Sequence, residues 1–395
     1  MDFNNVYNKI KNFKINCESI SKLKNKKLLD SGLSGNIIID TAKNNIKFII
    51  KIIPKLVNLN FIVEPNNNQL EIKFYQLFTK RYIQTNRTPH IVGIYNYQHC
   101  NDIKSLLLEL KSNKVCPSYE DLLTGKSQNT RAENAMCNLI LDHDNGLIES
   151  SYDAIILEHC PGQLSQLIYY GVEKLNIDET GETISLFTSD LFIIFFQIIF
   201  TLALIKEDYP GFIHRDLHTS NVLLIIENKH KEYEYIAYHY KQKIFYLPAN
   251  GFYAKINDFD LSIIVDELKP NTYEIYKVYN KINHINPFDE KNDVFIFLYN
   301  SLLNIYDAFT ELKFTDNKKI LMDNFMNKFI DVTTANKLIT SDTNFSYYIN
   351  GISGVNLLQN MVLTPHEYLM SDIFEVFQNI PNNGVVIKHF NSPHK

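Results

Sequence analysis

The chain has 395 residues, of which 45% are hydrophobic and 21% charged, and its 39 basic and 44 acidic residues give a formal charge of -5. These proportions exclude a disordered or collagen-like chain, and the length suits two domains or one domain with two lobes. The near-neutral charge argues against a general nucleic-acid-binding protein, because neutralising phosphates needs a clear basic excess.

The cysteines are odd in number, widely spaced and without a CxxC pair: Cys17, Cys100, Cys116, Cys137 and Cys160. This pattern predicts neither a disulfide framework nor a structural zinc site, and it favours a reducing compartment.

The first residues, MDFNNVYNKIKNFK, have neither the apolar run nor the cleavage site of a secretory signal, so we expect a cytoplasmic protein. The most apolar stretch, residues 191–205, is about five residues short of a bilayer span and predicts a buried core helix, with no transmembrane segment. Only four of the 39 basic residues are arginine, whereas Asn, Ile, Tyr and Phe are plentiful. This bias is typical of an AT-rich genome and suggests a microbial or viral source; a viral protein would act in the host cytoplasm or the virion.

The first half of the chain favours strands. Residues 28–53 read as strand, turn and strand, with two glycines between apolar runs and a β-branched segment, IKFIIKII. Leu70, Phe74 and Leu77 then recur at helical spacing. Strands are predicted again at 90–98 and 152–158, on either side of an insertion, 101–150, with a helix at 102–112.

The second half is predicted to be mainly helical. Thr364, Pro365 and Glu367 form the N-cap, first position and capping-box partner of the last predicted helix. Two β-like runs around PANG, within residues 241–260, predict a hairpin. The predicted helices span residues 164–170, 190–207, 292–306, 318–330 and 365–378.

The strongest chemical signal is FIHRDLHTSNVLL, residues 212–224, which follows a long apolar helix and precedes a strand. Its residues His214, Arg215, Asp216 and Asn221 resemble the catalytic loop of protein kinases. A carboxylate five residues before an amide suits phosphoryl transfer, because the carboxylate accepts the substrate hydroxyl proton and the amide oxygen binds Mg2+. We therefore predict Asp216 as the base and Asn221 as a metal ligand; an ordinary polar turn is the alternative.

A second signal is INDFDLS, residues 256–262, in which Asp258 ends a predicted strand. It stands where the aspartate of a DFG motif would bind Mg2+, and Asp260 replaces the glycine. Downstream of the HRD-type loop, Asp258 is predicted as the second metal ligand.

The front end supplies a candidate phosphate-binding loop and lysine. In DSGLSGNI, Gly32 and Gly35 align with the second and third glycines of a glycine-rich loop. Lys51, fourteen residues after Ile37, has the spacing and strand context of a lysine that reaches the α- and β-phosphates. A buried ammonium needs an acidic partner, and Glu71 on the following helix is the best candidate. Glu64 is nearer in sequence but lies just before Pro65.

Over roughly residues 28–380 the chain resembles eukaryotic-type protein kinases, and in detail it is similar to haspin and to the divergent serine/threonine kinases of poxviruses and other large DNA viruses. The resemblance rests on His218 where most such kinases have lysine, on the hairpin between Asn221 and Asp258, and on the missing APE motif in 261–291. Asp293 resembles the buried aspartate that supports the catalytic loop.

The resemblance implies an α+β, two-lobed fold, with a small antiparallel β-sheet lobe carrying one helix and a larger, mainly α-helical lobe. It divides the chain into an N-terminal extension, a sheet lobe and a helical lobe with a β-hairpin insertion at about 228–256, the three spanning residues 1–27, 28–160 and 161–395. It also implies an ATP site between the lobes, with Leu157 as gatekeeper and with Glu158 to Cys160 offering backbone groups to adenine.

Three functions are compatible with these motifs. The first is an active serine/threonine protein kinase that uses Mg2+ and ATP and phosphorylates a protein hydroxyl. The second is a pseudokinase scaffold, suggested by Asp260, by the missing first glycine and by the absent APE motif. The third is a small-molecule phosphotransferase of the aminoglycoside or choline kinase type. We favour the first, because a scaffold has no chemical need for the full polar set, Lys51, Glu71, Asp216, Asn221 and Asp258.

Overall fold

The computed structural model describes residues 7–8, 15–21, 27–31, 37–43, 46–57, 67–111, 116, 130–177, 181–227, 231–265, 267–268, 290–312, 316–335 and 361–391. The chain forms two compact units, one made of residues 1–79 and 93–159 and the other of residues 80–92 and 160–395. The first is built on an antiparallel sheet and the second is larger and mainly helical. The predicted α+β, kinase-like fold class is confirmed.

The first unit contains a five-stranded antiparallel sheet in the order β1-β2-β3-β5-β4. Its strands are β1 (Lys27–Ser31), β2 (Ile37–Lys43), β3 (Ile46–Leu56), β4 (Ile94–Cys100) and β5 (Ile148–Glu158). The central strand β3 is rich in isoleucine, and Ile50 and Ile52 are fully buried. Lys51 lies between them in sequence and pairs with Ile38 on one side and Ile155 on the other. The sheet therefore holds this lysine at its centre.

The first unit also contains helices α1 (Cys17–Ser21), α2 (Asn67–Phe78), α3 (Ile103–Lys111) and α4 (Arg131–Asp144). In α2 the residues Leu70, Glu71, Phe74, Tyr75 and Phe78 are buried and lie on one helical face, and Ile72 is buried as well. The predicted helices near 70–77 and 102–112 are confirmed as α2 and α3. The unit has more than the one helix expected, because the insertion contributes α3 and α4.

The cysteine prediction is wrong for four of the five residues. Disulfides join Cys17 to Cys100 and Cys116 to Cys137. The partners of the first are 83 residues apart, and they meet because the chain before α1 lies along β4, where Asn96 Nδ2 donates to the Ile15 carbonyl at 3.2 Å. The argument for a reducing compartment therefore loses its basis.

The second unit contains helices α5 (Leu164–Ile177), α6 (Gly181–Asp208), α7 (Asn292–Glu311), α8 (Asp316–Met326) and α9 (Pro365–Met370). Among the described residues one stretch of helix, Ser185–Asp208, is long and apolar enough to cross a membrane by length and composition, and 78% of its most apolar window is buried inside the protein. From Leu191 to Ile205 its apolar side chains are buried on all faces of the helix, except for the half-buried Phe192, as in a central core helix.

The last predicted helix begins as expected but is shorter. Thr364 Oγ1 accepts from the Glu367 N–H and Glu367 Oε2 accepts from the Thr364 N–H, which completes the capping box. The helix ends at Met370, because Ser371 is extended (φ -75°, ψ 178°). Phe374 then packs on Phe192 of α6 at 5.3 Å between ring centroids.

The described part of the second unit contains the strands β6 (Gly162–Gln163), β7 (Phe212–Ile213), β8 (Val222–Ile226), β9 (Glu234–Tyr240), β10 (Lys243–Pro248), β11 (Phe252–Ile256), β12 (Ile263–Ile264) and β13 (Val385–Phe390). The predicted hairpin around PANG is wrong. β10 pairs with β9, whereas β11 pairs with β8, so PANG leads from one sheet to another. The C-terminal β13 adds a parallel strand to β9. The three-stranded sheet with the order β11-β8-β6 positions the candidate site.

Candidate active site

The loop between β7 and β8 is held by a buried carboxylate from α7. Asp293 is fully buried. Its Oδ1 accepts from the N–H groups of His214 and Arg215, each at 3.0 Å, and its Oδ2 accepts from the His214 N–H at 2.9 Å. Arg215 has a φ of 70°, a left-handed conformation that is unfavourable for a long side chain. The three hydrogen bonds to Asp293 stabilise this conformation.

His214 ties the loop to the segment after β11. Its Nε2 donates to the Asn257 carbonyl at 3.0 Å, and its ring lies 5.2 Å from that of Phe259. Ser262 Oγ donates to the His214 carbonyl at 3.3 Å. Burial lowers the pKa of His214, which favours the neutral ring. Within the described part of the chain its Nδ1 is buried and has no hydrogen-bond partner.

Asp216 and Asn221 are in direct contact. Asn221 Nδ2 donates to the Asp216 carbonyl at 2.8 Å and to Asp216 Oδ2 at 3.1 Å. Because both partners can only accept, the orientation of the amide is fixed and Oδ1 is its other end. The Asp216 side chain is 38% exposed, so a substrate hydroxyl can reach its carboxylate.

The register of β8 and β11 brings Asp258 to the same place. Ile256 pairs with Val222, and the next residue, Asn257, donates its N–H to the Asn221 carbonyl at 3.0 Å. Asp258 follows immediately, with a φ of 65°. The predicted residues 216, 221 and 258 therefore lie together at one end of this sheet.

His218 has a capping role that the sequence does not reveal. Its Nδ1 accepts from the Ser220 N–H at 3.2 Å and caps the short 3-10 helix Thr219–Asn221. A neutral imidazole that accepts at Nδ1 carries its proton on Nε2. That Nε2 lies 3.6 Å from Asp216 Oδ2. His218 therefore presents its Nε2 donor beside the predicted base.

Two asparagines of α7 were also missed by the sequence reasoning. Asn300 Oδ1 accepts from the Thr219 N–H at 2.9 Å and from Thr219 Oγ1 at 2.8 Å. Asn304 Oδ1 also accepts from Thr219 Oγ1, at 3.3 Å. Their sequence signal is an Asn-x-x-x-Asn spacing on helix α7, which places both amides on one face.

In the sheet unit, Lys51 and Glu71 form a buried ion pair. Lys51 Nζ lies 2.7 Å from Glu71 Oε1, and the two side chains are 8% and 1% exposed. Glu71 is the partner that we predicted. The alternative, Glu64, lies outside the described residues.

The residues predicted to contact adenine lie at the end of β5 and just after it. Leu157 is buried and pairs with Ile49 and Ile94. The Glu158 N–H donates to the Gly93 carbonyl at 2.9 Å, and Glu158 Oε2 accepts from the Gly93 N–H at 3.2 Å. The Glu158 N–H is thus already used within the protein. Cys160 is half-buried.

Two predicted features lie outside the described residues. These are the glycines Gly32 and Gly35 and most of the segment 261–291, of which 269–289 are not described.

Three features are typical of the protein-kinase class. They are a carboxylate and an amide in contact on an HRD-type loop, a DFD aspartate on the segment beside them, and a buried ion pair between a lysine of an antiparallel sheet and a glutamate of a helix. No family model matches the chain. It is 47% identical over 405 residues, covering 100% of both chains, to the protein named "Putative serine/threonine-protein kinase R301" of Acanthamoeba polyphaga mimivirus. It is 27% identical over 245 residues, 60% of this chain and 47% of the relative, to "Putative serine/threonine-protein kinase R400" of the same virus.

The chain therefore belongs to this family of divergent viral protein kinases. The resemblance to haspin stays a prediction.

Proposed function

We propose that the protein is an active serine/threonine protein kinase that transfers the γ-phosphoryl group of ATP, with Mg2+, to a hydroxyl of a protein substrate. The observation that carries the proposal is the contact between Asp216 and Asn221, beside the segment that bears Asp258. The names of the two mimivirus relatives support the same class.

Asp216 is assigned as the base. Its carboxylate is partly exposed, and one oxygen accepts from Asn221 Nδ2. This hydrogen bond fixes the carboxylate. The substrate hydroxyl proton moves to Asp216 as the hydroxyl oxygen bonds to the γ-phosphorus, while the bond from that phosphorus to the bridging oxygen breaks and ADP leaves. Phosphoryl transfer depends on the positioning of the reacting groups. The hydrogen bonds that Asp293 accepts from the loop therefore also help to position Asp216.

Asn221 and Asp258 are assigned as Mg2+ ligands. Amide and carboxylate oxygens are the ligands that Mg2+ prefers. Because Asn221 Nδ2 donates to Asp216, Asn221 Oδ1 is the amide atom that can bind the ion. These residues fit the ion. When bound, Mg2+ neutralises negative charge on the phosphates.

Lys51 is assigned to the α- and β-phosphates, and Glu71 keeps its ammonium charged and oriented. Gly32 and Gly35 are assigned to the phosphate-binding loop. Because the Glu158 N–H is bound to Gly93, we assign adenine recognition to other backbone groups of residues 158–160.

The replacement Asp216→Asn tests the assignment of the base. We expect a fall in turnover of about two orders of magnitude or more with little change in ATP affinity, because the group acts in the transition state. Asp372→Asn, at an exposed position, is the control and should keep wild-type turnover. Unchanged turnover in Asp216→Asn removes Asp216 as the base.

The reaction itself is tested with γ-labelled ATP and Mg2+ in three mixtures: generic protein substrates, amino-alcohols and no added substrate. Label on serine or threonine supports the proposal. Label on the amino-alcohols identifies a small-molecule phosphotransferase. Nucleotide binding without label in any mixture identifies a scaffold.

A further inference from the structure

A segment of chain that is far from the site in sequence runs along the edge of β11 opposite to β8. Residues 88–92 lie parallel to the end of this strand: Ile256 donates its N–H to the His90 carbonyl at 3.0 Å, and Val92 donates to the Ile256 carbonyl at 2.9 Å. The other edge of β11 pairs with β8. The strand that leads into Asp258 is therefore bound on both edges.

Lys255, the residue before Ile256, is a charged side chain with only 3% of its surface exposed. Its Nζ donates to the Pro89 carbonyl at 2.7 Å and to the Ile91 carbonyl at 3.3 Å. An ammonium is retained at such a depth only where hydrogen bonds compensate its desolvation. The lysine thus fastens β11 to the segment 88–92 through two backbone acceptors.

His90 adds a third link, to the residue before Lys255. Its Nδ1 donates to the Ala254 carbonyl at 2.8 Å, and its Nε2 accepts from the Tyr238 hydroxyl at 2.9 Å. Burial, with the charges of Lys255 and Lys388 nearby, lowers the pKa of His90, so the ring stays neutral and keeps this pattern. Three consecutive residues of β11 are therefore bound to the segment 88–92.

We infer that Lys255 is a positioning residue: by fastening the end of β11 to the segment 88–92, it fixes the place of Asp258 and so the Mg2+ site. This inference rests on the proposed function. Asp258 has a left-handed backbone conformation and lies two residues beyond Ile256, so a shift at the strand end moves its carboxylate directly. Without the ammonium, the Pro89 and Ile91 carbonyls lose donors in a buried place, and the strand end moves to find others.

The test compares Lys255→Met with the wild type and with Lys255→Arg, which keeps charge and donors on a side chain of similar length. Two quantities are measured for each protein: the ATP-induced rise in melting temperature, with excess EDTA and then with Mg2+, and the Mg2+ dependence of turnover. Lys388→Met is the matched control, because Lys388 lies over the rings of Tyr253 and Phe390 near the same strand.

We expect Lys255→Met to keep the melting shift with ATP and EDTA but to lose the added shift with Mg2+. Its turnover should fall at least tenfold, with a several-fold higher Mg2+ concentration at half-maximal rate, and Lys255→Arg should recover both. A purely structural role would lower the melting temperature and both shifts together, which would overturn the inference, as would wild-type behaviour of Lys255→Met. If Lys255→Met does not fold, Lys255→Gln is judged by the same results. A wild type that neither transfers phosphate nor shows a Mg2+-dependent shift contradicts the proposed function itself.

Discussion

The buried pair of Lys51 and Glu71 allows structure and function to be separated in one experiment. The two charges lie 2.7 Å apart with side chains 8% and 1% exposed. Replacing Lys51 by methionine keeps the length and apolar stem of the side chain but leaves the Glu71 carboxylate buried without this partner. Replacing Glu71 by leucine leaves the Lys51 ammonium buried without this partner. The double replacement removes both charges and fills the space with apolar atoms.

The expected magnitudes follow from this geometry. At an effective dielectric constant of about 20, two unit charges at this separation attract by about 6 kcal/mol, and desolvation offsets much of that attraction. Each single replacement should lower the free energy of unfolding by about 3–5 kcal/mol, because it leaves one buried charge without its ion-pair partner. The double replacement should lie near the wild type, since apolar residues often substitute for a buried pair at little loss.

The assay is urea unfolding followed by far-UV circular dichroism, a suitable probe because the chain has no tryptophan. The ATP-induced melting shift is measured beside it with Mg2+. We expect the double variant to recover stability but not the nucleotide shift, because an apolar pair can replace the ion pair in the fold, whereas nucleotide binding needs the ammonium. Additive losses in the double variant, or a loss below about 1 kcal/mol for Lys51→Met, would refute the assignment of a coupled buried pair.

Two further predictions concern histidines. Burial lowers the pKa of His90 and His214 in the folded protein. The stability that each neutral ring contributes is therefore complete above pH ~6.5 and falls below it, by at most about 1.4 kcal/mol per pH unit for each ring. Urea midpoints at pH 7.0 and 5.5 measure this fall, and His90→Phe should reduce the difference between them, whereas an equal difference in the variant would show that His90 already binds a proton. His218→Asn keeps an acceptor for the Ser220 N–H but removes the Nε2 donor beside Asp216, so turnover should fall while the melting temperature stays unchanged. His218→Ala should also lose about 1 kcal/mol of stability. Wild-type turnover in His218→Asn would show that the Nε2 donor has no part in the reaction.

The site residues could be predicted from the sequence where the partners lie close together in the chain and their chemical needs are plain. Asp216 and Asn221 share one loop, so a five-residue spacing is enough to bring them into contact. Glu71 could be named as the partner of Lys51 because a lysine in an apolar strand needs a counter-charge and the following helix supplies a carboxylate on its buried face. In both cases a local rule left few arrangements open.

Features that depend on long-range pairing could not be predicted in the same way. The alternating pattern of β10 suits any antiparallel partner, and β9 is closer in sequence than β11 through a two-residue turn. The link between Lys255 and Pro89 spans 166 residues, and the Cys17–Cys100 disulfide spans 83. No periodicity in the sequence records such distances.

The placement of unfavourable features supports the proposed catalytic function over that of a scaffold. Arg215 is held in a left-handed conformation, which costs about 1–3 kcal/mol for a side chain of this kind, and three hydrogen bonds to Asp293 are needed to hold it there. The Lys51–Glu71 pair is likewise a poor source of stability, since apolar residues of similar volume would serve the fold as well. Both features involve groups that phosphoryl transfer requires, namely the loop that bears Asp216 and the ammonium of Lys51. A scaffold would gain from losing them, whereas an enzyme needs the fixed loop and the buried ammonium in the reaction.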